Sequence, residues 1–388
     1  MRSARRPAFP LLALVSAALL VPSRGASSQA VVPPPQPSPP SLEEVRKGMA
    51  VRSTGEVRGQ QDGVGFATTA AQMARTWELS ASPPAPEALG EAPLPGVLGV
   101  VCPHDDYLYA GRVYRKVLPL MTARTVVLVG VFHKYRSFGA RDVLVFDPYR
   151  AWSAPDGEVP VSPLREAVLA RMPRGTWVKD AASHDREHSL EPLVQWLKHA
   201  RPDVEILPVV VPSASFARTA ELATAFGEAL AAEMKARGLV LGRDVAVAIS
   251  ADAVHYGADF RHVPFGEGGI EAYRRAVERD RALLSGPLSG PVEEAKARAL
   301  HEAFVDPAAP DDYRLTWCGR FSIPTGLLVL ARTARALGLP PPVARPVAYA
   351  TSVGAPELPL REAGLGETAP ANLYHFVGYP AVAFVAGR

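Results

Sequence analysis

The stretch that decides the fold is Val97-Leu-Gly-Val-Val-Cys-Pro-His-Asp-Asp-Tyr-Leu-Tyr109. Its apolar run reads as a buried strand, Pro103 stops that strand, and His104 falls on the turn just beyond. The same grammar recurs in Thr125-Val-Val-Leu-Val-Gly-Val-Phe-His133. It recurs again in Val245-Ala-Val-Ala-Ile-Ser250, which leads into Asp252 and His255. In open α/β sheets, ligands bind outside the carboxyl ends of the strands. Three strand ends carrying His104, His133 and the pair Asp252/His255 therefore point at one polar site, and a metal is its expected occupant.

Working outward, strands and helices alternate. Helices are predicted at 70–79, 111–120, 163–172, 190–199, 215–237, 271–284, 291–304 and 326–337. The clearest is 215–237, where Leu222, Phe226, Leu230 and Met234 form one stripe and Gly238 is the C-cap. Pro291 is expected at the first position of its helix. Further strands are expected at 142–146, 204–211, 347–351 and 381–385, with Pro208 hinting at an edge or a bulge. This pattern predicts an α/β fold, a single domain over 96–388 with a central, mostly parallel or mixed sheet flanked by helices.

Residues 31–95 read as a Pro-rich linker and N-terminal extension, opening on Val31-Val-Pro-Pro-Pro-Gln-Pro. Residues 42–80 are expected to pack on the domain. Residues 1–30 look like a secretory signal peptide. Arg2, Arg5 and Arg6 precede an apolar core at 9–21, and Ser28-Gln29-Ala30 offers a cleavage site. A periplasmic or secreted location follows, without stable membrane insertion once the leader is removed. The formal net charge of +3 belongs to that leader, because the remaining chain has 38 basic and 39 acidic residues. The balance gives no argument for a nucleic-acid partner. Cys102 and Cys318 are the two cysteines, which allows one disulfide, or a metal ligand, but no C-x-x-C motif.

No phosphate-binding G-x-x-x-x-G-K-[ST] loop, serine-hydrolase G-x-S-x-G elbow or dinucleotide G-x-G-x-x-G fingerprint is present. What remains is histidine at strand ends and Cys318 in Thr316-Trp-Cys-Gly-Arg320. Imidazole and thiolate are donors for iron, copper or zinc. Taken singly, each histidine also fits a turn residue bonded to a nearby carbonyl.

Several segments carry a resemblance. Pro103-His-Asp-Asp-Tyr107 resembles the Pro-His-Ala-Gly-Tyr segment of the Memo family, component B of the AmmeMemoRadiSam systems. Gly130-Val-Phe-His133, Glu187-His-Ser-Leu-Glu191, Ser250-Ala-Asp-Ala-Val-His255, Cys318-Gly319 and Tyr349-Ala-Thr-Ser352 resemble its later motifs, in order. The family is similar in fold to class III extradiol dioxygenases, which hold non-haem iron. The resemblance implies His104, His133 and Cys318 as metal ligands. It implies His255 as acid/base, His188 as a second candidate, and Asp252 as an orienting group.

The departures from the family pattern leave alternatives. Asp105 and Asp106 stand where Ala-Gly is usual, and either is an added oxygen ligand or a helix cap. Lys134 meets an anionic substrate or faces solvent. Glu187-His188-Ser189 is also readable as a cap for the helix after it. Cys102 either pairs with Cys318 or is an isolated buried thiol. The expected function is an exported iron or copper redox enzyme (zinc is also possible), dioxygenase-like, acting on a small molecule with O₂. The other reading is a non-catalytic module that binds metal, a peptide or a partner.

Overall fold

The three apolar runs form neighbouring strands of one large sheet. Its main strands are β1 (Val97–Cys102), β2 (Thr125–Val131), β3 (Leu144–Phe146), β4 (Trp177–Lys179), β5 (Glu205–Val211), β6 (Val245–Ser250), β7 (Gly290–Pro291), β8 (Val343–Thr351) and β9 (His375–Val385). Across the sheet the order is β7-β8-β9-β1-β6-β2-β5-β3-β4. The central four, β1-β6-β2-β5, are mutually parallel. On one side β9 runs antiparallel to β1, and on the other β3 runs antiparallel to β5. The sheet is therefore mixed around a parallel centre. Every residue of β1, β2 and β6 is buried, the continuous apolar pattern of strands covered on both faces. The structure, a computed structural model, describes residues 53–90 and 96–387, which lie in one compact unit. The expected leader and the start of the Pro-rich segment lie outside the described residues.

The longer helices are α1 (Ala70–Leu79), α2 (Tyr107–Val117), α3 (Leu164–Arg171), α4 (Glu191–Ala200), α5 (Phe216–Arg237), α6 (Gly269–Ser285), α7 (Glu294–Phe304) and α8 (Ser322–Ala336). In α5 the Ser215 side chain accepts the Arg218 N–H, and Gly238 closes the helix in the left-handed region. Its stripe of Leu222, Phe226, Leu230 and Met234 is fully buried. Helix α8 packs between α5 and the sheet. Gly326 permits that approach, because a Cβ there would run into Ile249 of β6. Among the described residues no helix is long and apolar enough to cross a membrane.

Three local expectations are corrected. Helix α2 begins at Tyr107, ahead of Gly111; Gly111 sits inside the helix, where a Cβ would stand 2.7 Å from Ser80 Oγ. Pro291 is in β7, paired with β8, and α7 starts only at Glu294. Strand β5 lies inside the sheet despite Pro208. Ile206 accepts the Ser162 N–H on the flank away from β2, so the period of two turns Pro208 to that same flank. Between that bridge and the Val145–Val210 pairing, Pro208 breaks no ladder bond to β2.

Candidate metal centre

Parallel neighbours in register deliver their C-terminal turns to one place. Ser250 pairs with Cys102 and Ile249 with Val129, so the turns carrying His104, Asp252 and His133 emerge side by side. The His104 and His133 rings lie edge to face with centroids 5.2 Å apart. Cys318 arrives on a single 3₁₀ turn (Cys318–Arg320) before α8. One donor atom from each of His104, His133 and Cys318 lies within 4.8 Å of the other two.

The orientation of each imidazole follows from its other nitrogen. Ser250 Oγ donates its single hydrogen to the Ser189 carbonyl, 2.5 Å away. It must therefore accept from His104 Nδ1 at 2.7 Å, which leaves the His104 Nε2 lone pair free. Glu187 Oε1 accepts His133 Nδ1–H at 2.9 Å, and Oε2 accepts the His133 backbone N–H at 2.6 Å. His133 is thereby fixed in the same tautomer, the arrangement in which outer partners orient metal-binding histidines. Burial alone would push the Glu187 carboxyl up. His133, His188 and the Ser189 N–H outweigh it and hold the group well below the usual carboxylate range. Burial, aided by His133 and His188, keeps His104 neutral by lowering its pKa well below the ordinary value.

His104 Nε2 stands 3.5 Å from Cys318 Sγ and 3.4 Å from Asp252 Oδ2. A thiolate at ~2.3 Å and an imidazole nitrogen at ~2.1 Å from one tetrahedral ion are separated by about 3.5 Å. The donor set therefore fits a borderline-soft transition metal. Burial, then the Asp252 charge, pushes the Cys318 thiol well above its ordinary pKa. A bound cation is what would displace that proton.

Asp252 Oδ1 accepts the His104 N–H at 2.9 Å, and its own N–H points at Cys318 Sγ at 3.0 Å. It thus ties the two turns together. His255 bonds the carbonyls of Ala253 and Thr316 through Nδ1, at 3.1 and 3.0 Å, which commits that nitrogen as the N–H. His188 stacks on His133 with centroids 4.9 Å apart. Burial first, then His133, lowers its pKa to about 4.

All six expected site residues line a single cavity of about 380 Å³. The alternatives sort as follows. Ser189 is no cap: its hydroxyl donates to the Val131 carbonyl, and Glu187 is occupied with His133. Asp106 occupies the N-cap position of α2 without a capping bond, its carboxylate accepting instead from Thr368. Asp105 faces the cavity but joins none of the potential ligand groups. Lys134 is exposed. Cys102 and Cys318 are free thiols, and Cys102 is buried in β1.

The orienting roles of Ser250 and Glu187 were not read from sequence. Neither were the cavity-wall residues Phe260, Tyr313 and His375. A signal existed for His375 alone, since two-residue periodicity along β9 sets it beside Val377, another wall residue.

The sequence profile of the family described as Memo-like protein matches residues 75–353, well over half of the chain. The chain belongs to the Memo family. It is similar to a MEMO1 family protein of Thermococcus onnurineus, 30% identical over 192 residues, covering 47% of this chain and 62% of that one. It is also similar to one of Archaeoglobus fulgidus, 35% identical over 161 residues, covering 41% and 56%. The matched stretches thus span about three-fifths of those Memo relatives. The profile match, in turn, includes the turns of His104, His133, His188, Asp252, His255 and Cys318.

Proposed function

We propose that this Memo-family protein is an exported metalloenzyme that oxidises a small, phenolic molecule with O₂. The observation that carries the reading is the pairing of a ligand set with uncommitted histidines in one cavity. His104 and His133 have Nε2 freed toward Cys318, while His188 and His255 line the same space without being needed as ligands. A site closed by four protein ligands suits a structural ion, whereas three ligands and free space suit chemistry. The volume of about 380 Å³ accommodates a ring-sized molecule.

His104, His133 and Cys318 would hold iron or copper, which when bound supplies electron transfer between substrate and O₂. The chain's own residues do the rest. Burial lowers the pKa of His255, so its ring is neutral and its Nε2 can take a proton from a substrate hydroxyl. His188 is placed to do the same from the His133 side. Asp252 keeps the His104 turn in position. Export rests on the Arg2/Arg5/Arg6 cluster and the apolar stretch after it.

The test is metal content by elemental analysis, followed by oxygen-electrode assays with a panel of catechols after anaerobic metal loading. We expect His104→Ala and Cys318→Ser to lose most bound metal, and O₂ uptake to require both metal and substrate. Metal retained in both variants refutes the ligand assignment. Tight metal binding with no uptake across the panel refutes turnover and leaves a metal-holding protein.

A further inference from the structure

From Val97 to Tyr114 every residue is buried except one, Asp105, and that residue opens into the cavity. Its carboxylate is held at the back from two directions. Oδ1 accepts the Asp106 N–H at 2.7 Å, and Oδ2 accepts the Tyr379 hydroxyl at 2.6 Å. A carboxylate offers about four lone-pair positions, so two donors leave acceptor capacity facing the cavity. Among the described residues, none of those lining this cavity is Lys or Arg. Asp105 therefore presents a fixed, partly exposed carboxylate with no Lys or Arg among the lining residues to pair with it. The cavity wall also carries Tyr109 and Phe260, ring surfaces that suit both a second ring and an organic cation.

Asp105 also stands apart from the three sets of His, Cys and acidic side chains whose donor atoms converge closely enough for one ion. The cavity thus holds the nitrogen and sulfur donors together with an oriented carboxylate that belongs to none of those sets. A molecule spanning both would put its hydroxyl-bearing ring at the donors and a positive group at Asp105.

We propose that Asp105 selects the substrate, and that the cavity takes an aromatic hydroxyl compound carrying a protonated amine. This rests on the reading of the cavity as a metal-dependent oxidation site, whose small-molecule class it narrows. An ammonium at Asp105 completes the carboxylate's hydrogen bonding in a partly desolvated setting, where a charge-assisted bond is stronger than a neutral one. An anionic analogue would face an uncompensated carboxylate.

The test uses anaerobic calorimetric titration of the metal-loaded protein with three catechols of one skeleton. They bear an ethylammonium arm, a neutral ethanol arm and a carboxymethyl arm. The ammonium compound is expected to bind at least about tenfold tighter than the neutral one, with the anion weakest. This order is read on the unaltered protein and needs no variant to fold. In Asp105→Asn, and again in Asp105→Ala, the ratio of ammonium to neutral affinity should collapse to about one. Equal affinity for the three compounds, no binding of the ammonium compound, or a ratio that survives in a folded variant overturns the proposal. Metal content of the same samples separates the two levels. Metal held normally with no charge preference removes only the selectivity; metal absent from the unaltered protein removes the oxidation reading itself. Loss of metal in Asp105→Asn alone would make Asp105 a ligand and also overturn the selector role.

Discussion

Replacing Glu187 by Gln tests the claim that His133 is held in a metal-ready tautomer. Glu187 accepts three N–H groups: His133 Nδ1 at 2.9 Å and Ser189 N at 2.8 Å on Oε1, and His133 N at 2.6 Å on Oε2. A glutamine has one oxygen for two positions. With that oxygen at the Oε1 place, the Nδ1 and Ser189 bonds survive and the amide NH₂ faces the His133 backbone N–H. Flipped, it forfeits both of the others. The better orientation still leaves one buried donor unpaired, costing about 1–3 kcal/mol, and downgrades two charge-assisted bonds to neutral ones. The variant should thus unfold with a stability about 2–4 kcal/mol lower at pH 7. Metal affinity should fall about 10–100-fold, the usual effect of removing the partner of a ligating histidine. Because the folded pKa of Glu187 is depressed, its contribution is present above the ordinary carboxylate pKa. That contribution is lost as pH falls through the depressed value, so the stability gap to the variant should close only in strong acid. Urea melts of the metal-free protein and a chelator-competition titration read the two quantities separately. A folded variant whose metal affinity lies within about twofold of the unaltered protein would refute the orienting role.

Ser250→Ala removes the acceptor of His104 Nδ1–H, so His104 can take the other tautomer, and metal affinity should fall about tenfold in the same titration. His188→Gln should flatten the pH dependence of stability in the metal-free protein. The native pKa of about 4 lies below the ordinary 6.5, so stability is lost as pH falls through that window, and urea midpoints at pH 7 and 5 should differ less in the variant. Phe226→Ala empties a site where the ring packs edge-on against Phe146 at 5.4 Å and should cost about 3–5 kcal/mol. Gly326→Ala should cost about 1–3 kcal/mol by forcing α8 off Ile249, again read by urea melts.

Legibility in the sequence tracked how local each cause was. Strands β1 and β6 occupy the expected 97–102 and 245–250, because an unbroken apolar run ended by Pro103 or by a polar turn leaves little choice. Helix α1 falls on 70–79, its start fixed by the Thr69–Gln72 capping box. The mistaken edge at Pro208 arose because a missing N–H matters only on the flank where a partner needs it, and the flank is set by Ser162, far along the chain. The same holds at the site. Histidines at strand ends are visible in one dimension. The groups that aim them are not, since Glu187 reaches His133 across 54 residues and Ser250 reaches the Ser189 carbonyl across 61. Tyr313 carries no periodic or motif signal and comes to the wall through the Val305–Tyr313 hairpin.

Two buried hubs explain how the site keeps its shape. Arg58, upstream of the profile match, directs its N–H groups to the carbonyls of Gly59, His184 and Glu187 and to Glu191 Oε1. Only a planar guanidinium fork can serve so many acceptors at once, and a lysine could not. Glu191 is completed by the backbone N–H groups of Gln61 and Asp62, so the segment before α1 and the start of α4 grip the Glu187 loop from outside. Asp280 of α6 does the equivalent on the other side. It accepts from Trp317 Nε1 at 2.7 Å, the Tyr349 hydroxyl at 2.7 Å and the Val254 N–H at 3.3 Å. Trp317 precedes Cys318 and Val254 precedes His255, so one carboxyl spaces the thiol against the His255 ring. The Glu187 loop and the turns of Cys318 and His255 are thus anchored by buried polar groups set back from the donor atoms. Rotamers locked in this way lose little freedom when a ligand binds, so less of the binding energy goes into ordering the loops.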